Sequence, residues 1–239
     1  MNERLVGRIP VLESLRAGKR APRRLFVLEN ATGLDAILEA AHGVPIDRVD
    51  RGELEVLAGG AVHQGVVLEA GPLPILKAED WLRRAFEADA IVVMLDGVED
   101  PHNFGAIVRS AAACGACGVL FGKRRSAPVS PASAKSAAGA MEYVDLVQTA
   151  NVARTLRGLK EVGFWIMGLD AQGEGVIWKA DLTGRVALVV GSEGKGMGRL
   201  VSETCDMRLR IPLTGPITSL NASVSAAVAL AECLRQRQA

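Results

Sequence analysis

The glycine-rich loop GSEGKG, residues 191–196, is the first part of the sequence whose residue types suggest ligand binding. It follows the apolar run VALVV, which predicts a strand, a loop and then a helix. A P-loop needs a hydroxyl residue after its lysine, but Lys195 precedes a glycine, and a dinucleotide loop needs GxGxxG. Glu193 would also repel a pyrophosphate. The loop is therefore predicted to approach a ligand that is not phosphate-rich, although an ordinary turn with Glu193 in the first helical turn fits the loop equally well.

Arg109 is the single charged residue in the apolar stretch NFGAIVRSAAACGA, residues 103–116, which is predicted to be a helix. The residues three and four positions away from it are all small, namely Gly105, Ala106, Ala112 and Ala113. A guanidinium in such an apolar element needs an anionic partner. The pattern indicates either an anionic ligand or a structural salt bridge, for which Glu193 and Asp100 are the candidates.

A third segment, IPLTGPITSLNASVSAAVALAE at residues 211–232, predicts a strand, a Pro/Gly loop and a helix that begins at Ser219. In that helix Ser219 and Ser223 would share one face, and Asn221 and Ser225 another. The predicted apolar stripe consists of Leu220, Val224, Ala227 and Ala231. Small residues permit close backbone approach, either to a second helix or to a ligand.

These segments lie in a long stretch, from Trp81 onward, in which apolar strands alternate with helices. That alternation predicts an α/β fold with a parallel sheet covered on both faces and a ligand site beyond the carboxyl ends of the strands. The residues before it form a smaller α/β unit, and two nearby prolines in GPLPILKAED separate the two. The predicted organisation is a domain of residues 1–72, a linker of residues 73–80 and a domain of residues 81–239.

Basic charge is concentrated near the start of the chain, although the net charge is only +1. Such a patch can contact phosphates, and a solvated face is the alternative. The candidate phosphate contacts in this patch are Arg16, Lys19, Arg20, Arg23 and Arg24, and a second basic loop contains Lys123, Arg124 and Arg125. Aromatic residues make up only 4% of the chain, so an aromatic base-stacking platform is not expected.

The four cysteines and the N-terminal sequence bear on the cellular compartment. No signal peptide is recognisable and no apolar run is long enough to cross a bilayer, so thiols in a reducing cytoplasm and no membrane association are expected. Cys114 and Cys117 have C-x-x-C spacing, but no second pair follows, and no metal site is predicted.

Together the three segments resemble the SpoU (TrmH) family of RNA ribose 2′-O-methyltransferases, in the SPOUT superfamily. The first family motif, N-x-G-x-I-x-R-[ST]-A, matches Asn103, Gly105, Ile107, Arg109, Ser110 and Ala111. The second, G-x-E-x-x-G, matches Gly191, Glu193 and Gly196. The third, I-P-x-x-G-x-x-x-S-L-N-x-S, matches Ile211, Pro212, Gly215, Ser219, Leu220, Asn221 and Ser223. The first 70 residues, with GRIPVLESL and HQGVV, resemble the substrate-binding domain of that family.

The resemblance implies an α/β, parallel-sheet SPOUT domain with a trefoil knot, preceded by a small L30e/L7Ae-like α/β domain that binds RNA. It makes the basic residues of the N-terminal patch and of the second basic loop the predicted RNA contacts. It implies a homodimer with S-adenosylmethionine as methyl donor and no metal, because a sulfonium leaves as a neutral thioether. The implied cofactor-binding residues are Gly191, Gly196, Ile211, Ser219, Leu220 and Asn221. The implied catalytic residues are Arg109, Asn103, Glu193, Ser219 and Asn221. Arg109 would clamp a phosphate and stabilise the developing oxyanion, or act as the base.

Within the family, the chain is most similar to the bacterial 23S rRNA guanosine-2′-O-methyltransferase type. The resemblance therefore implies a guanosine in 23S rRNA as substrate, in the cytoplasm. A tRNA guanosine methyltransferase, an enzyme that modifies the thiostrepton-resistance loop of rRNA, and an RNA-binding protein without turnover remain alternatives. A Rossmann dehydrogenase is disfavoured by the order of the glycines.

Overall fold

The structure is a computed structural model, and it describes residues 2–124, 126 and 129–238. The chain divides into two compact units. The first consists of Met1–Pro74 together with Ala138–Tyr143, and the second of Ile75–Ala137 together with Val144–Ala239. Among the described residues, none of the helices combines the length and apolar character that a membrane span requires.

The first unit contains a four-stranded sheet in the described part of the chain, with the order β1-β4-β2-β3. Strand β4 pairs antiparallel with β1 and β2, while β2 and β3 run parallel. The elements are β1 (Glu3–Val6), α1 (Arg8–Ala17), β2 (Pro22–Leu28), α2 (Asp35–Ala40), β3 (Ile46–Val49), α3 (Arg51–Ala58) and β4 (Val66–Ala70).

The sequence predicts a helix at VLESLRAG, a strand at RRLFVLEN, a helix at TGLDAILEAAHG and a strand at GVVLEA. These correspond to α1, β2, α2 and β4, whereas β1, β3 and α3 were not predicted. Strands β1 and β3 have four residues each and are largely exposed, so neither carries the alternation that predicts a strand. Helix α3 has a regular start, because the side chain of Asp50 accepts a hydrogen bond from Glu53 N at 2.9 Å.

The second unit is built on a parallel sheet, as predicted. Its eight described strands have the order β10-β12-β9-β11-β6-β7-β8-β5, and neighbouring strands run parallel. The elements are β5 (Ile75–Lys77), α4 (Ala78–Trp81), β6 (Ile91–Asp96), α5 (Pro101–Ala113), β7 (Gly118–Gly122), α6 (Pro131–Ala137), β8 (Asp145–Thr149), α7 (Val152–Glu161), β9 (Trp165–Leu169), β10 (Gly175–Val176), β11 (Val186–Gly191), α8 (Arg199–Thr204), β12 (Met207–Arg210) and α9 (Ala222–Arg237).

The sheet is buried on both faces, which explains why its strands are apolar without alternation. In β6, Val92 and Met94 belong to one core cluster with residues of α7 such as Leu156. The intervening Val93 and Leu95 point to the other face, and both are fully buried. Strand β5 and helix α4 occupy residues 75–81, so most of the range expected to be a linker has regular structure.

Helix α9 begins at Ala222, and the prediction that it begins at Ser219 was wrong. Residues 211–221 form an irregular connection between β12 and α9. Asn221 is the N-cap residue, whose side-chain oxygen accepts from the backbone N–H groups of Ser223, at 2.8 Å, and Val224, at 3.4 Å. The predicted helical faces that included Ser219, Leu220 and Asn221 therefore do not exist.

Candidate active site

The Glu193 carboxylate brings together the three segments singled out in the sequence. Its Oε1 accepts a hydrogen bond from Nδ2 of Asn221 at 2.7 Å and another from Nδ2 of Asn103. Asn103 lies in the first turn of α5, and Asn221 caps α9. One carboxylate oxygen thus fixes the loop after β11 against the starts of two helices. Glu193 does not lie in the first turn of a helix, since α8 begins only at Arg199.

The loop that carries Glu193 is closed by backbone contacts. Ser192 N donates to Gly196 O at 3.1 Å, and Gly196 N donates to Ser192 O at 2.9 Å. Gly191 permits this tight return, because a Cβ on it would lie 2.4 Å from the Gly196 carbonyl carbon. Gly196 itself has a φ of +63°, a conformation that favours glycine. Both glycines of the motif therefore have a backbone reason to be there.

Helix α5 is held at its start by a second capping residue. Asp100 accepts from the backbone N–H of Asn103 at 2.9 Å and of His102 at 3.3 Å, and Pro101 occupies the first helical position. Asn103 is 9% exposed, so its amide is almost entirely enclosed while it holds Glu193. The cap sets the position of the donor that Glu193 uses.

A cavity of about 480 Å³, here called cavity A, lies beside this cluster at the carboxyl ends of β9, β11 and β12. It is bordered by most of the predicted cofactor residues, namely Gly191, Gly196, Ile211, Ser219 and Leu220. The sixth, Asn221, lies between two lining residues and holds Glu193, which also lines the cavity. The volume is within the range of roughly 300–1,000 Å³ typical of small-molecule sites.

The connection after β9 also borders cavity A, through Leu169, Asp170, Ala171 and Gln172, and sequence reasoning missed it. A signal was available, because this segment follows a predicted strand, and parallel sheets bind ligands beyond the carboxyl ends of their strands. What the sequence could not give is which strands neighbour β11. In the structure these are β9 and β6.

A second cavity, of about 590 Å³ and here called cavity B, lies on the other side of the same loop. Residues 192–197 line both cavities and therefore form a partition between them. The other residues that line cavity B are Asp96, Gly97, Val98, Glu99, Asp100, Asn103 and Gly198. Asp96 supports the partition, because it accepts a hydrogen bond from Gly198 N at 2.7 Å.

Arg109 is exposed on α5 and lines neither cavity. It forms no ion pair or hydrogen bond with the described residues, and the two anions considered for a structural salt bridge have other partners. Glu193 accepts from two amides, and Asp100 caps α5. Arg109 follows Asn103 by six residues, which is about 9 Å along a helix axis. Its guanidinium is free to meet an anion that comes from outside the chain.

Arg20 must be withdrawn from the predicted RNA contacts. It is 8% exposed, and its guanidinium binds Glu142 Oε1 at 2.8 Å and Glu3 Oε2 at 2.5 Å. A buried guanidinium with two carboxylate partners has a structural role in the first unit and cannot reach a phosphate. The sequence did not reveal this, because Glu142 is more than a hundred residues away along the chain.

The other predicted RNA residues of the first unit differ in how much charge they offer. Arg16 is paired with Glu13 at 3.6 Å, and Arg24 with Asp47 at 2.8 Å. Lys19 also has an interaction partner. Arg23 is exposed and unpaired within the described residues. In the second unit, Lys123 and Arg124 are exposed just after β7, whereas Arg125 lies outside the described residues.

The cysteines are unreactive in character. Burial raises the pKa of the Cys117, Cys205 and Cys233 thiols to about 11 and also raises the pKa of Cys114. All four are free thiols. The described residues contain no group of three or more His, Cys, Asp or Glu side chains arranged to hold a metal ion.

Comparison with protein families gives two matches. The model of the SpoU rRNA Methylase family matches residues 90–231. The model described as RNA 2′-O ribose methyltransferase substrate binding matches residues 4–76. The first match contains all the residues that border cavities A and B, and the second contains the four-stranded sheet of the first unit except Glu3, the first residue of β1.

Individual relatives agree with the family matches. The chain is 43% identical over 204 residues to the 23S rRNA (guanosine-2′-O-)-methyltransferase RlmB of Pseudomonas putida, covering 84% of this chain and 82% of that protein. It is 42% identical to an uncharacterized tRNA/rRNA methyltransferase of a Mycobacterium species, over 99% of this chain and 77% of that one. The fold is similar to that of the SpoU methyltransferase AviRb from Streptomyces viridochromogenes, solved with AdoMet, with a TM-score of 0.79, 25% identity and coverage of 99% of this chain and 91% of that one.

Proposed function

This chain belongs to the SpoU rRNA methylase family of RNA methyltransferases, and we propose that it methylates the ribose 2′-oxygen of a guanosine in 23S rRNA. The observation that carries the proposal is the convergence of three motif segments on Glu193 beside cavity A. The guanosine and the 23S rRNA come from the similarity to RlmB of Pseudomonas putida. An rRNA substrate fits a cytoplasmic protein.

The methyl donor of this family is S-adenosylmethionine, and cavity A suits it. The volume of about 480 Å³ is adequate, and apolar residues such as Leu169 and Ile211 border it. Asp170 and Glu193 supply negative charge toward a cationic sulfonium. We assign backbone contacts with the cofactor to Gly191, Ile211 and Leu220. Gly196, Ser219 and Asn221 shape the protein loops around the cofactor. When bound, the cofactor supplies a methyl group on a sulfonium that leaves as a neutral thioether.

We assign to Arg109 the stabilisation of the ribose 2′-oxygen that accepts the methyl group. A ribose hydroxyl is a weak nucleophile, and its developing negative charge needs a nearby cation. A guanidinium stays protonated and donates up to five hydrogen bonds, so it can hold the neighbouring phosphate and the oxygen together. Asn103, Glu193, Ser219 and Asn221 then position the loop and the two helices around the reacting atoms. Arg109 is exposed and has no ion pair or hydrogen bond with any described residue, which supports this role.

We further propose that the enzyme is a homodimer with a trefoil knot, as in its superfamily. On α9, Val224 is 46% exposed and Ala231 is exposed, although both belong to the stripe predicted to be buried. The residues of α9 that are buried within the chain are instead Ala222, Ala226, Ala229, Leu230, Glu232 and Cys233. An apolar stripe left uncovered on α9, a helix that packs against α5, fits a second copy of the chain.

Methyl transfer from radiolabelled S-adenosylmethionine to total RNA tests the activity, and mapping of 2′-O-methyl positions in cells with and without the protein tests the substrate. The proposal expects one guanosine of 23S rRNA to lose its methyl group when the protein is absent. Loss at a tRNA position instead would identify a tRNA enzyme of the same family. No transfer to any RNA, with intact RNA binding, would identify an RNA-binding protein without turnover.

Arg109→Ala tests the assigned chemistry. Removal of a group that stabilises charge only in the transition state is expected to lower kcat by roughly 10²- to 10³-fold, as for a lost oxyanion donor. Calorimetric titration with S-adenosylhomocysteine is expected to give an unchanged affinity, because Arg109 lines neither cavity. Normal turnover by this variant would refute the assignment.

A further inference from the structure

Lys195 stands at the centre of the candidate active site without a role in the reaction described above. It is exposed in the partition loop between cavities A and B, and it borders both of them. Its ammonium makes no ion pair or hydrogen bond with the described residues. The sequence drew attention to it only as a lysine that fails the P-loop pattern.

Lys195 is the single cation among the described residues that border the two cavities. Cavity B is bordered by four carboxylates, those of Asp96, Glu99, Asp100 and Glu193. Cavity A adds Asp170, which is paired with Arg208 at 3.6 Å. This charge suits a sulfonium but repels a polyanion, and the acceptor in the proposed function is a polyanion.

The geometry of a ribonucleotide places the repelled phosphate close to Lys195. The reacting 2′-oxygen and the 3′-phosphate are attached to adjacent carbons of the same ribose. A ribose that meets the methyl group of a donor in cavity A therefore carries a phosphate to the edge of the partition loop. Oε1 of Glu193 on that loop accepts from two amides, whereas the Lys195 ammonium has no partner within the described part of the chain.

We propose that the Lys195 ammonium binds the 3′-phosphate of the reacting ribose, in addition to the contacts assigned to Arg109, and so helps to admit RNA to a site bordered by carboxylates. The inference rests on the proposed methylation of RNA and names a substrate-binding residue for it. The backbone of Lys195 is held in place, because the Ser192–Gly196 backbone hydrogen bonds close the loop at 2.9 and 3.1 Å. Lys195 takes no part in those bonds, so its side chain can be changed without opening the loop.

Lys195→Gln is the test, with steady-state methylation of a 23S rRNA transcript as the measurement. Loss of a charge-assisted contact is expected to lower kcat/KM for RNA by roughly 10- to 100-fold. The slope of log(kcat/KM) against log[salt] is expected to become shallower by about 0.7–0.9, as for one phosphate. The affinity for S-adenosylhomocysteine, measured by calorimetry, is expected to stay unchanged, and Lys195→Arg is expected to recover most of the activity.

Arg199→Gln is the matched control. Arg199 is four residues away and is exposed, but it is already paired with Glu203 at 2.8 Å. Both variants remove one positive charge from the same region, so a general electrostatic effect would change both salt slopes equally. Only a direct phosphate contact gives a larger change for Lys195→Gln.

Three results would overturn the proposal. Equal salt slopes for the two variants would show that Lys195 makes no direct contact. A loss of S-adenosylhomocysteine affinity with normal RNA kinetics would assign the ammonium to the carboxylate of the cofactor. Unchanged RNA kinetics, salt slope and S-adenosylhomocysteine affinity would show that Lys195 has no role in substrate or cofactor binding. If the unmodified enzyme transfers no methyl group, the proposed function fails separately, and filter binding of the transcript with the same salt series still tests Lys195.

Discussion

At the scale of single residues, Glu193 explains why a glycine loop of this shape contains a carboxylate. An amide donor from each of two helices points at the same oxygen, and a charged acceptor forms stronger hydrogen bonds than a neutral one. The residue is exposed, whereas its partner Asn103 is almost fully buried. Glu193 therefore positions the loop from its edge, and its negative charge remains available to both cavities.

Glu193→Ala is expected to impair catalysis through this positioning. It leaves the buried amide of Asn103 without its partner, at a cost of about 1–3 kcal/mol, and it frees the start of α9. If this cost falls on the catalytically competent arrangement of the loop, kcat/KM is expected to fall by roughly 5- to 100-fold, since each 1.4 kcal/mol is a factor of ten. Glu193→Gln keeps an acceptor oxygen, so its kcat/KM should lie between that of the unmodified enzyme and that of Glu193→Ala. Steady-state methylation measures this order, and Glu203→Ala on the surface of α8 is the control. Equal activity of Glu193→Ala and Glu203→Ala would contradict the positioning role of Glu193.

Arg20 and Glu142 form a buried ion pair in the first unit. Glu142 is 5% exposed, and its Oε2 has no hydrogen-bond partner within the described structure. Burial raises the pKa of Glu142, while the neighbouring Arg20 opposes that rise. A carboxyl whose folded pKa lies above its unfolded value stabilises the fold at low pH, and that contribution is lost as the pH rises through the folded pKa.

Arg20→Met should therefore destabilise the protein in a pH-dependent way. It leaves Glu142 as an uncompensated buried charge, which costs about 3–5 kcal/mol, and its pKa rises further. We expect the loss in free energy of unfolding to be smaller at about pH 5 than at about pH 8, because protonation removes the charge. Urea denaturation at both values is the measurement. Arg51→Met, which breaks an exposed pair with Glu55, should change stability by less than about 1 kcal/mol at either pH.

At the scale of elements, Gly105 decides how α5 and α6 pack. A Cβ on Gly105 would lie 2.3 Å from the Ser133 carbonyl oxygen and 2.7 Å from the Ser136 Cβ. His102 adds a contact of 3.0 Å between its Nδ1 and the Ser136 hydroxyl. The glycine of the first motif thus serves a helix contact, and α6 is held against the same helix that carries Asn103 and Arg109.

Gly105→Ala tests this packing. Overpacking against backbone atoms is expected to cost about 1–3 kcal/mol, although alanine favours a helix by about 1 kcal/mol over glycine. We expect a lower Tm and a lower free energy of unfolding in urea. Gly184→Ala is the control, because nothing lies within 4 Å of its Cβ position. An unchanged Tm for Gly105→Ala would show that α6 can move aside at no cost.

The elements also show how far the sequence could go. Long apolar strands and regular helices of the second unit were predictable, because burial on both faces leaves a continuous apolar pattern. The start of α9 could not be predicted, because Ser219 and Asn221 are equally good N-cap residues. In the structure Asn221 is the N-cap, and it also donates a hydrogen bond to Glu193. The burial of Arg20 likewise depends on Glu142, a partner that no local pattern reveals. The motifs pointed to Asn103, Glu193 and Asn221, but the hydrogen bonds that join these residues needed coordinates.

At the scale of the whole molecule, the second unit leaves apolar surface uncovered where its two motif helices are exposed. Val224 of α9 and Arg109 of α5 both face outward from the chain. In the proposed homodimer, this surface becomes the interface, and the region around Arg109 is completed only when two copies meet. Activity should then depend on association.

Val224→Glu tests this dependence. A charge in the centre of an apolar interface is expected to weaken association by roughly 2–4 kcal/mol, the scale of an interface hot spot. Sedimentation equilibrium should show a mass that shifts from two chains toward one as the variant is diluted, with methyl transfer lost in parallel. Val56→Glu is the matched control, since Val56 is 77% exposed on α3 of the first unit and should leave mass and activity unchanged. A Val224→Glu variant that stays dimeric, or an active monomer, would contradict the proposed interface.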